Sequence, residues 1–62
     1  MKTVQIKMVG GDVFVYALRA STIYNFFTKV TMGTWLEIVS VNLGEKTVYL
    51  NPAHIVSVVI LD

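Results

Sequence analysis

The chain has no cysteine, a single proline, and no apolar run approaching the roughly twenty residues that cross a bilayer as a helix. Without cysteine there are no disulfides and no thiolate metal sites, the two usual staples for domains this small. Charge is scarce as well: five basic residues stand against four acidic ones, for a formal net charge of +1. Lys2, Lys7, Arg19, Lys29 and Lys46 are scattered singly among Asp12, Glu37, Glu45 and Asp62. A nucleic-acid protein usually concentrates a basic stripe instead. The first residues lack the basic, apolar and small-residue segments of a signal peptide, so the cytoplasm is the expected location and no membrane partner is expected.

What the chain has in abundance is apolar side chains, 55% of its 62 residues. A lone chain of this length hides only about 60% of its extended surface on folding, and ordering it costs roughly 1.5 kcal/mol per residue, so the hydrophobic gain is nearly cancelled. With disulfides and thiolate metal sites excluded, association with a partner surface is the remaining remedy, and a homo-oligomer is expected. Residues 1–62 leave room for one domain and one core.

The pattern along the chain is mostly that of strands. From Lys2 to Val9, Val4, Ile6 and Met8 alternate with Thr3, Gln5 and Lys7, as in a strand with one wet face. Gly10-Gly11-Asp12 supplies permissive backbone and a polar tip, and Val13 to Leu18 resumes β-branched and aromatic character, predicting a hairpin. This second strand is apolar on both faces, which fits either a central strand covered by a helix or a face presented to another subunit. Ser21 is placed to cap a helix from about Thr22 to Val30. There Ile23, Phe26, Phe27 and Val30 fall at i, i+3, i+4 and i+7, one apolar stripe that has to dock on a sheet for so short a helix to form. Lys29 suits the last turn and Gly33 the stop.

Trp35 to Val41 is again extended, with Trp35, Val39 and Val41 on one face and Leu36 and Ile38 on the other. Asn42 to Lys46, a short turn with Gly44 at its centre, joins it to Thr47–Leu50. Asn51-Pro52 ends that strand, since proline has no ladder donor and biases its predecessor away from helix. Asn51 is expected to bond the backbone at residue 53 or 54 and open a single helical turn. The last strand, Ile55 to Leu61, has six apolar members out of seven and invites uncontrolled pairing at an exposed edge, so it is expected to be central or paired across a subunit boundary. Gln5 and Lys7 make the first strand the better managed edge. The order is ββαβββ: an α+β domain with a small, mostly antiparallel sheet curled toward a barrel and one short helix packed on it or plugging an end.

Candidate chemistry is sparse. His54 is the only imidazole, with no second metal ligand and no serine or cysteine at a telling spacing, and reads as a structural or surface residue. Glu37 and Glu45 lack the third group that acid–base work needs. Gly10-Gly11 lacks the downstream Gly-Lys of a phosphate cradle. No catalytic residue, metal site or cofactor is therefore expected. Phe14, Tyr16, Trp35 and Tyr49 have three readings: core packing, anchors of a protein interface that includes self-association, and a platform for stacking bases. Core packing comes first and base stacking last, because few cations flank these rings.

Over Thr47-Val48-Tyr49-Leu50-Asn51-Pro52-Ala53-His54-Ile55-Val56-Ser57-Val58 the chain resembles a segment common in small uncharacterised proteins of Gram-positive bacteria and their phages. There a strand, an Asn-Pro corner, a short His-Ile step and a second strand build a β-rich domain. The same residues are similar to the opening strand pair of the flagellar FlbD-like proteins, whose corner lies near the N-terminus rather than near residue 52. The resemblance implies a bacterial or phage accessory protein and carries over no activity. Two functions remain. The first is a noncatalytic, self-associating protein-interaction module built on Phe14, Tyr16, Trp35 and Tyr49, with an unknown protein partner admitted. The second is an oligomeric nucleic-acid-binding regulator in which symmetry gathers Lys2, Lys7, Arg19, Lys29 and Lys46 into one patch.

Overall fold

The computed structural model describes residues 1–61, with five strands and one α-helix among them: β1 Lys2–Met8, β2 Val13–Leu18, α1 Ile23–Met32, β3 Leu36–Ser40, β4 Lys46–Leu50 and β5 Ile55–Ile60. Single 3-10 turns at Ala20–Thr22, Val41–Leu43 and Pro52–His54 join them. The class and element order are those expected, but the strands do not close into a barrel. They form a three-stranded antiparallel sheet, β2-β1-β5, and a separate antiparallel pair, β3-β4.

Alternation builds the core from both sheets. Val4, Ile6 and Met8 of β1, Leu18 of β2, Leu36 and Ile38 of β3 and Leu50 of β4 are buried around Phe26 of the helix. The hairpin between β1 and β2 turns on Gly10 and Gly11, each at φ 97°, a backbone that side chains with a Cβ resist. It is closed by Met8 N–H donating to the Asp12 carbonyl at 2.8 Å. At the Asn51-Pro52 corner the Asn51 Oδ1 accepts from the Ala53 amide at 3.0 Å and a 3-10 turn follows, as the sequence predicts.

Several expectations are corrected. Ser21 does not cap the helix: it lies inside the Ala20–Thr22 turn, and Thr22 is the N-cap, with no side-chain cap bond. The turn has already taken the first helical donor, since the Ile23 amide donates to the Ala20 carbonyl, and the Thr22 amide and hydroxyl both donate to the Arg19 carbonyl. Phe26 is 7% exposed but Phe27 is 38% exposed. Successive helical residues point about 100° apart, and the sheet covers one of the two directions. Strand one is not an edge: β1 lies in the middle of its sheet. The last strand is correspondingly not central, for β5 is an outer strand paired with β1 alone. Proximity in the fold, not polarity, placed β1 centrally, because it forms the hairpin with β2 on one side and receives the chain's end on the other.

The second strand is likewise an outer strand of its sheet, covered differently on its two sides. Tyr16 packs on Phe26 with ring centroids 6.2 Å apart, so the helix covers one face. Its open hydrogen-bonding edge is taken by a side chain: Asn42 accepts from the Val15 amide at 3.0 Å and donates to the Val13 carbonyl at 2.9 Å. The carboxamide thus imitates one peptide of a neighbouring strand. Ser40, fully buried, donates its hydroxyl to the same Asn42 oxygen and holds the amide in place.

Candidate protein interface

The aromatic candidates do not form one platform. Strand alternation turns Leu36, Ile38 and Ser40 inward and Trp35, Glu37 and Val39 outward. On β4 it turns Leu50 inward and Tyr49 outward, so Trp35 is 60% exposed and Tyr49 63% exposed. Both border an open cleft of about 300 Å³ whose wall includes the half-buried Phe14, with Asp12 and His54 also on its lining. Tyr16 lines a different cleft of about 280 Å³ between the helix and β3, where Lys29 and Glu37 also sit. Of the four rings, then, Phe14, Trp35 and Tyr49 line one cleft and Tyr16 another, while Phe14 and Tyr16, on the same face of β2, both pack against the core.

His54 contributes to the fold through its backbone, the carbonyl accepting from the Val9 amide at 2.7 Å, and the exposed residue lies on the lining of the Trp35–Tyr49 cleft. No three histidine, aspartate or glutamate side chains among the described residues come together as ligands for a metal ion. The five cations lie on separate elements. Lys2 and Lys7 lie near opposite ends of β1, Arg19 follows β2 beside the Lys2 end, Lys29 is on the helix, and Lys46 opens β4 opposite Ser40. Within one copy only Lys2 and Arg19 share an end of an element pair.

Sequence reasoning missed two features. Asn42 read as a turn residue, and nothing in its neighbourhood signals partners 27 and 29 positions away. The exposure of β5 was legible only as a hazard: Val56, Val59, Ile60 and Leu61 all remain in water.

Among the described residues no helix is long and apolar enough to cross a membrane. Fold and surface together define a small α+β domain of two antiparallel sheets with an aromatic cleft and an apolar outer strand. Compared with known protein families, with curated proteins and with solved structures, the chain matches none.

Proposed function

We propose that this protein is a noncatalytic, self-associating interaction module, a cytoplasmic accessory protein of a bacterium or phage. The origin rests on the resemblance over Thr47–Val58. The observation that carries the function is the apolar surface left outside a fully compact body. The radius of gyration is 10.6 Å, against about 10.5 Å for a compact chain of this length. Folding to that limit still leaves Trp35, Tyr49 and four large residues of the last strand and its end exposed. Single exposed apolar residues are ordinary, but a row of them along an open strand edge, as at Val56, Val59, Ile60 and Leu61, marks a docking surface.

The test is native mass by light scattering over a wide concentration range, with the absorbance ratio of the purified protein read for nucleic acid. A discrete oligomer free of nucleic acid supports the module. A monomer at every concentration refutes self-association. Co-purifying nucleic acid whose binding weakens steeply with salt transfers support to the regulator reading, with Lys2, Lys7, Arg19, Lys29 and Lys46 as contacts.

A further inference from the structure

The three-stranded sheet has two outer edges, and the fold treats them differently. The edge at β2 is closed by the Asn42 carboxamide, which bonds both Val13 and Val15. The edge at β5 is paired to β1 on its inner side and, among the described residues, to no strand on its outer side. Leu61 donates to the Thr3 carbonyl at 2.9 Å, and Val59 and Ser57 stand opposite Gln5 and Lys7. Main-chain groups alternate along a strand, so those of Val58 and Ile60 face outward.

Natural edges of this kind are guarded by a charge, a proline or short length. Ile55 to Leu61 contains neither charge nor proline. Its one irregularity is a bulge where it passes Lys7 and Met8, at the Ile55 end, which leaves residues 57 to 61 regular. Side chains are exposed on both faces, Val56 by 59% and Leu61 by 55%.

We propose that β5 pairs antiparallel with β5 of a second copy about a two-fold axis at Val58, joining two sheets into one of order β2-β1-β5-β5-β1-β2. This rests on the self-association reading and assigns it a face and a register. The parity of the outward groups selects the register: Val58 meets Val58 as a hydrogen-bonded pair, and Ile60 meets Val56 on either side. Ser57 then stands opposite Val59, and Ile55 opposite Leu61. Every cross-strand pair is apolar or carries one serine, so two identical strands meet without like charges opposed. A second copy fits this edge because the surface is its own complement, as a two-fold interface requires.

The size of the surface sets the affinity. The exposed side chains offer on the order of 350 Å² per copy, well under the roughly 800 Å² per partner of a standard interface, which places the dimer among weak, concentration-dependent associations.

Two variants differing at one position test the register. In Ser57→Glu/Val59→Glu, carboxylates face carboxylates across the two-fold. In Ser57→Glu/Val59→Lys, each carboxylate faces an ammonium. Sedimentation velocity is expected to show the first weakened by about 100-fold or more and the second within about tenfold of the unaltered protein. Without any substitution, hydrogen exchange at the Val58 and Ile60 amides is expected to slow as concentration rises through the dimerisation range. A dimer that tolerates both variants, or loses both equally, with exchange at those amides unchanged on dimerisation, overturns the β5 pairing and leaves self-association by another face standing. A chain monomeric at all concentrations overturns both.

Discussion

At the scale of single residues, two adjacent phenylalanines with the same sequence credentials have different roles. Phe26 reaches the core and packs at a tilt against Tyr16, whereas Phe27 meets Phe26 edge-on at 5.4 Å and keeps one side in water. Phe26→Ala is therefore expected to cost about 3–5 kcal/mol, enough to unfold a domain of this size. Phe27→Ala, for which the helical stripe alone predicts the same loss, is expected to cost about 1 kcal/mol and lower the thermal midpoint by roughly 4–8 °C, readable by circular dichroism. Asn42 is the polar counterpart. Asn42→Ala leaves the Val13 carbonyl, the Val15 amide and the buried Ser40 hydroxyl without their partner, for an expected loss of about 2 kcal/mol in urea unfolding. Asn42→Asp keeps an acceptor for Val15 but turns a carboxylate oxygen on the Val13 carbonyl, and is expected to be no better than alanine.

At the scale of elements, the helix and the turns follow local rules and the strands follow only half of them. The helix ends at Gly33, at φ 75°, with its amide bonded back to Val30, as a glycine stop should. The short turn before β5 depends on Asn51, so Asn51→Ala is expected to lose about 1 kcal/mol and, with Pro52 buried beside it, to loosen the entry of β5. Glu45 is the one described residue other than glycine with a positive φ, 62°, directly after Gly44. Glu45→Asn is expected to raise stability by about 0.5 kcal/mol, because asparagine tolerates that backbone better. For strands, the alternation in β1 names Val4, Ile6 and Met8 as the buried face, and in β3 it sets Leu36 and Ile38 apart from Trp35 and Val39 without saying which side is inward. It does not say which strand lies beside which, and polarity was a poor guide: β1, with Gln5 and Lys7, is central, and the apolar β5 is outermost.

For the whole molecule, shape is not what leaves apolar groups exposed. The accessible surface of 4140 Å² is close to the roughly 4000 Å² expected of a compact monomer of this mass. The excess comes from composition: more than half of the residues are apolar, and a body this small has too little interior for them. Folding and association are consequently linked, and raising the protein concentration about 100-fold is expected to raise the thermal midpoint by several degrees. A midpoint independent of concentration would mean that the outer surface contributes nothing to stability.

Local information in the sequence determined the α+β class, the number and nearly the bounds of the elements, the buried face of the first strand, and the corner at Asn51-Pro52. Those features depend on periods of 2 and 3.6 residues and on bonds between near neighbours, so the chain records them within a few positions of where they act. The same apolar composition also determined that something greasy would stay outside. Only the tertiary structure decided that Phe26 rather than Phe27 is buried, that Asn42 closes the β2 edge, and that β5 is the unguarded one. Central and outer strands are built from the same β-branched residues, and their order is set by pairing between segments as far apart as Val4 and Ile60, for which a local pattern holds no record.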